Sequence, residues 1–146
     1  MKELFVLLVI FKLKHFIADY PFQTSYMLQK FKAGREFILP LTAHAGVHSL
    51  FTFYISIFFA ALRRPESAQA LPFYLALGDF TLHFIMDRVK ASPGMLGRYK
   101  ALSAAEFTNA TDAQKKSNKY FWWSLGFDQM FHGISDLAVA FILVIS

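Results

Sequence analysis

Residues 77–90 read LGDFTLHFIMDRVK. The stretch is oily, yet Asp79, His83 and Asp87 recur at every fourth position. Strict alternation of polar and apolar residues, the mark of a half-buried strand, is absent. On a helix, residues four apart share one face, one turn above the other. The segment therefore reads as an apolar helix with a single polar ridge.

Three other segments repeat the pattern. Residues 14–20, KHFIADY, pair His15 with Asp19. Residues 40–50, PLTAHAGVHSL, pair His44 with His48. Residues 126–137, GFDQMFHGISDL, carry Asp128, His132 and Asp136. The set holds all five histidines of the chain and five of its ten acidic residues.

Apolar sequence surrounds these ridges. Of 146 residues, 55% are hydrophobic and only 17% charged, against about 25% charged in soluble domains. The apolar blocks run from about residue 3 to 20, 40 to 62, 71 to 91 and 120 to 145. Each approaches the ~20 residues that carry a helix across a bilayer. Pro21 should end the first block, because the residue before proline is pushed out of helical geometry. Pro40 suits the first position of the second. The expected fold is all-α: one domain over residues 1–146, a polytopic four-helix transmembrane bundle. Lys2 precedes an apolar run with no small-residue cleavage site after it, so the first helix is expected to be retained.

Two connections are long. In residues 21–37, Thr24 or Ser25 could cap a short surface helix stopped at Gly34. Between residues 92 and 119, Ser103 with Glu106 and Thr111 with Gln114 have the capping-box spacing. Short interfacial helices are expected there.

Charge orients the chain. Lys30, Lys32 and Arg35 lie in the first long connection. Arg88, Lys90, Arg98, Lys100, Lys115, Lys116 and Lys119 lie in or beside the second. Only Lys2, Arg63 and Arg64 flank the opposite side. The positive-inside rule puts the long loops in the cytoplasm and both termini across the bacterial inner membrane. The formal charge of +5 then points to anionic lipid headgroups as partners rather than to nucleic acid. Trp122 and Trp123 suit an interfacial belt. Lys12 and Lys14 are expected to snorkel toward the interface, although Lys12 lies nearly on the face of His15 and could meet an anion.

A charged group near the bilayer centre costs about 2.5–3.5 kcal/mol on insertion scales. Ten ionisable side chains therefore cannot face lipid. With alternating helix directions, all four ridges fall on the side of the basic loops, about 5–15 Å inside the boundary at ~1.5 Å per residue. Asp79 and Asp136 fall deeper. Imidazoles and carboxylates converging from four helices suit a divalent metal such as zinc, manganese or iron, as one or two ions. With no cysteine in the chain, thiolate sites are excluded. His15, Asp19, His44, His48, His83, Asp87, Asp128 and His132 are the candidate ligands. Asp79 and Asp136 are candidates for orienting groups or a general base. The leading expectation is a metal-dependent hydrolase of a phosphoester or lipid-like substrate. A proton or metal-ion transporter, or a non-enzymatic membrane interaction protein in which the cluster is only interhelical glue, would use the same residues.

The blocks HFIADYPFQTSYM, HAGVHSLFTF, LHFIMDRVKA and FDQMFHGISDL, in that order, resemble the signatures of the domain of unknown function 3307 family. These are small integral membrane proteins of bacteria and their phages. The resemblance covers most of the chain outside residues 92–119 and implies the fold and location, with no activity attached. The pattern is more distantly similar to inner-membrane metal-dependent hydrolases of the YdjM type. That likeness implies metal-dependent hydrolysis at the membrane.

Overall fold

The structure is a computed structural model that describes residues 2–63, 70–92, 95, 106 and 109–146. Four long helices dominate it: α1 (Lys2–Asp19), α2 (Ile38–Arg63), α3 (Leu71–Ala91) and, after the short α4 (Asp112–Ser117), α5 (Lys119–Ile145). No strand occurs among the described residues. Arg64, Arg98, Lys100 and Ser103, with the capping box expected from it, lie outside them.

Local chemistry sets the helix ends. α1 stops one residue before the Tyr20–Pro21 bond. Thr24 Oγ1 accepts from the Met27 backbone N–H at 3.3 Å and opens a 3-10 segment, Met27–Phe31. That segment ends before Gly34, whose φ of +66° turns the chain into α2. Pro40 is the third residue of α2, not the first; an N–H has no intrahelical partner at either position, so both tolerate proline. Thr111 and Gln114 form the expected capping box on α4. Asn118 Oδ1 accepts from the Phe121 N–H at 2.9 Å and starts α5.

The long helices pack together: α2 and α5 each contact both α1 and α3, and the 3-10 segment lies against α2 and α3. The distribution of side chains is inverted relative to a water-soluble bundle. Phe5, Leu39, Phe58, Phe73, Phe127 and Phe141 are all more than half exposed. Asp79, His83, Asp87, Asp128 and His132 are buried. α2 and α5 are long and apolar enough to cross a membrane. α1 and α3 carry more charge, but Lys14, Asp79 and Asp87 of these helices turn inward.

The interior is layered. At the end where α1 begins and α5 finishes, Leu7, Phe11, Leu75, Val139, Ala140 and Leu143 form an apolar core. Arg63 closes that end, donating to the Val144 and Leu143 carbonyls at 2.6 and 3.2 Å. These are last-turn carbonyls of α5 that its backbone N–H groups do not reach, although Ser146 Oγ also donates to the Leu143 carbonyl at 3.4 Å. The next layer centres on Lys14 Nζ. It lies 3.1 Å from Asp79 Oδ2 and 3.4 Å from Asp136 Oδ1, and donates to Thr52 Oγ1 at 3.0 Å. Thr52 in turn donates to Asp79 Oδ2 at 2.8 Å. Each long helix contributes one of these four side chains.

Lys14 therefore does not snorkel. It is 2% exposed, because it shares the inward stripe of Leu7, Phe11 and Ala18 and two carboxylates meet it there. Lys12 does extend outward, with 57% of its side chain exposed and Nζ 3.8 Å from Asp136 Oδ2. It crosses Gly133, where an added Cβ would stand 2.9 Å from that nitrogen.

Removing one partner of a buried ion pair costs about 3–5 kcal/mol, because the other charge is left uncompensated. Lys14→Met is therefore expected to lower the unfolding temperature in detergent strongly. Adding Asp79→Asn to it should restore part of the loss. Thermal melts of the single and double variants check this, and strictly additive losses would contradict the contact.

Candidate metal centre

The third layer lies on the opposite side of Lys14 from the apolar core. α1 supplies His15 and Asp19 from its last turns, and α2 supplies His44 and His48 from its early turns. α3 supplies His83 and Asp87 near its end, and α5 supplies Asp128 and His132. The four-residue spacing puts both members of each pair on the buried face.

The imidazoles form one cluster. The His83 ring stacks between His48 and His132, with centroids at 4.0 and 4.2 Å. His15 lies 5.1 Å from His48 and 5.0 Å from His132. His44 lies 4.9 Å from His48. Three carboxylates edge the cluster. Asp19 approaches Nε2 of His15, His48 and His44 at 2.9, 3.1 and 3.4 Å. Asp87 lies 2.9 Å from His44 Nε2 and 3.9 Å from His132 Nε2. Asp128 Oδ1 lies 3.4 Å from His132 Nε2.

Three trios each bring one ligand atom per residue to within 4.8 Å of one another: His15, His48 and His83; Asp19, His44 and His48; Asp87, Asp128 and His132. Together they contain all eight residues expected as ligands from the sequence. Asp79 and Asp136 sit in the deeper Lys14 layer, as expected. Asp79 also faces the cluster, with Oδ1 3.2 Å from His83 Nδ1.

The donor set is of a kind that could hold a metal. Nδ1 of His15, His44, His48 and His132 and Nε2 of His83 are buried without a hydrogen-bond partner, whereas His15 Nε2 and Asp128 Oδ1 have only the ion-pair contacts with Asp19 and His132 given above. Buried polar atoms are normally paired, and an unpaired one costs about 1–3 kcal/mol. A divalent ion satisfies such atoms directly. Imidazole nitrogen with carboxylate oxygen is a donor set that suits zinc, manganese or iron. An ion holds such ligands at about 2.0–2.2 Å, so ion binding would draw each trio inward.

Two site residues carry no signal of this role in the sequence reading. Lys30 enters from the 3-10 segment, buried, with Nζ 2.9 Å from Asp87 Oδ2. Lys90 Nζ lies 2.7 Å from Asp128 Oδ2. Both read as loop or helix-end charge in the sequence. Only the three-residue step from Asp87 to Lys90 hints that Lys90 shares the polar face. Nothing local marks Lys30, because a loop residue has no helical register to betray it. Gln129 Nε2 also reaches Asp128 Oδ2, at 3.5 Å.

No curated protein and no solved structure matches the chain, and the likeness to YdjM-type hydrolases finds no support among the comparisons. Residues 5–146 match the family described as Protein of unknown function (DUF3307). With all but its first four residues inside that match, the chain belongs to the DUF3307 family.

Proposed function

We propose that the protein is an integral membrane metalloprotein, a metal-dependent hydrolase acting on a phosphoester or lipid-like substrate. In this reading all four long helices cross the bilayer, with the polar centre near the cytoplasmic face. The inverted side-chain distribution supports the membrane setting. In lipid, exposed phenylalanine and leucine cost nothing, whereas outward charge does.

The observation that carries the metal reading is the set of buried imidazole nitrogens left without hydrogen-bond partners. His15, Asp19, His44, His48, His83, Asp87, Asp128 and His132 would hold one or two divalent ions. A bound ion supplies Lewis-acid polarisation and activation of water. The protein's own groups set the geometry. His83 Nδ1 meets the backbone carbonyl of Asp79 at 3.0 Å, with the Asp79 carboxylate 3.2 Å away, which leaves Nε2 for the centre, an arrangement common behind metal ligands. Both Asp79 oxygens are engaged by Lys14, and Oδ2 by Thr52 as well. Its role is therefore positioning rather than proton abstraction. Asp136 lies in the same layer, with Oδ1 3.4 Å from Lys14 Nζ and Oδ2 3.8 Å from Lys12 Nζ, and would likewise act as a positioning group.

The apolar core of Leu7, Phe11, Leu75, Val139, Ala140 and Leu143 argues for a site rather than a path. Ion transit would need a chain of polar groups through that half of the bundle, where the buried polar side chain beyond Thr52 on α2 is Ser56.

Elemental analysis of purified protein is expected to find at least one divalent ion per chain, and His44→Ala and His83→Ala are each expected to lower the content. Hydrolysis of a chromogenic phosphoester should need the ion and stop with a chelator. Protein free of metal, or a stoichiometry that survives both substitutions, overturns the proposal.

The chain has no cysteine, so single cysteines can report its topology. Lys32→Cys and Lys116→Cys in inside-out inner-membrane vesicles are expected to react with an impermeant maleimide. Ala70→Cys should react only after the vesicles are opened. The reverse pattern would invert the orientation, and equal labelling of all three would remove the membrane reading.

A further inference from the structure

Lys30 and Lys90 share a distinctive placement. Each ammonium sits on Oδ2 of a carboxylate whose Oδ1 faces His132 Nε2: Lys30 on Asp87 and Lys90 on Asp128. The two lysines thus bracket the Asp87–Asp128–His132 trio and leave its inward oxygens free. Lys30 is 6% exposed. Burying an ammonium is costly unless anions surround it, so chance placement of a loop lysine is a poor account of it.

Charge counting in this layer points to what is missing. The deeper layer balances by itself, with Lys12 and Lys14 against Asp79 and Asp136. The upper layer holds three carboxylates, Asp19, Asp87 and Asp128, against two ammonium groups, Lys30 and Lys90. Metal-bound imidazoles are neutral, so the residues carry one net negative charge. One divalent ion makes the layer cationic, and a second makes it more so. A buried net charge is not tolerated without a partner, so the loaded centre calls for an anion.

We infer that Lys30 and Lys90 form a two-point clamp for the phosphoryl group of the substrate, which lies against the metal ion held by Asp87, Asp128 and His132. This inference rests on the metal reading above. An ion and two ammonium groups are three cationic points, and the three non-bridging oxygens of a phosphate monoester match them. A carboxylate, with two oxygens, does not. On the Lys90 side, a small cleft of about 60 Å³ between α3 and α5 reaches Lys90 and Asp128 from the surface, lined also by Met86, Val89, Ser124 and Phe127. A phosphate carried on a lipid and a soluble phosphate ester would present the same group to the two ammonium groups. The shared chemistry is the phosphoryl group.

The test is calorimetric titration of inorganic phosphate into manganese-loaded protein in phosphatidylcholine nanodiscs, with bound ion counted in every sample. The intact protein is expected to bind phosphate only when loaded. Lys30→Gln and Lys90→Gln should each weaken binding about tenfold or more, the loss expected for one charge-assisted hydrogen bond, with ion content unchanged. Lys32→Gln, on an exposed residue just past the same 3-10 segment, should leave the affinity as it was. Unchanged phosphate affinity in both site variants overturns the clamp, as does loss of the ion from both. A loaded protein that ignores phosphate also overturns it while leaving the metal reading intact. A protein that takes up no ion removes the metal reading itself. If phosphatidic acid in the discs competes with phosphate, the phosphoryl group comes from a lipid. If it does not, it comes from a soluble ester, and the clamp stands in either case.

Discussion

One ammonium group, Lys14 Nζ, meets a side chain from each of the other three long helices: Thr52, Asp79 and Asp136. The imidazole cluster around His15 also joins all four. Hydrophobic burial cannot do this work in a lipid setting, because lipid tails are as apolar as leucine. Packing and polar contacts between helices must set their register instead. A charged pair with hydroxyl support is sensitive to that register, since a shift of one turn would strand three ionised groups in an apolar interior.

The rest of the structure follows from this junction. Above it, Asp79 turns from Lys14 to His83 and hands its orientation to the imidazole cluster. Below it, the interior is mainly the apolar core of Leu7, Phe11, Leu75, Val139, Ala140 and Leu143, with Ser56 a further buried polar side chain of α2. The polar half of the bundle is therefore a packed, buried cluster of imidazoles and carboxylates. Lys30 and Lys90 meet its outer carboxylates, so the 3-10 segment of the first long connection and the last turn of α3 furnish cations to the site.

Much of the architecture was legible in the chain. Periodicity of four placed each His–Asp ridge on one face. The proline after Tyr20 and the apolar block lengths placed the helix ends within about two residues, the usual uncertainty of such boundaries. The insertion cost of charge required the ridges to converge, and alternating helix direction put them at one depth. All eight expected ligand residues do meet in the three trios. Lys14 was misplaced because its neighbours in sequence, Leu13 and His15, give no sign of the carboxylates that arrive from α3 and α5. Lys30 was missed because its role depends on a 3-10 segment folding back over α3.

By itself the sequence determined the all-α class, the polar faces and the side of the bundle on which they gather, because these follow from helical period and the cost of exposing charge to lipid. Only the tertiary structure decided which carboxylate serves which imidazole, and which lysines turn inward. Those choices depend on contacts between residues far apart in the chain, such as Lys14 with Asp136 and Lys30 with Asp87. No local pattern encodes them, since each pair exists only once separate helices have packed and brought opposite charges within about 3 Å, where a low-dielectric interior makes the pairing strong.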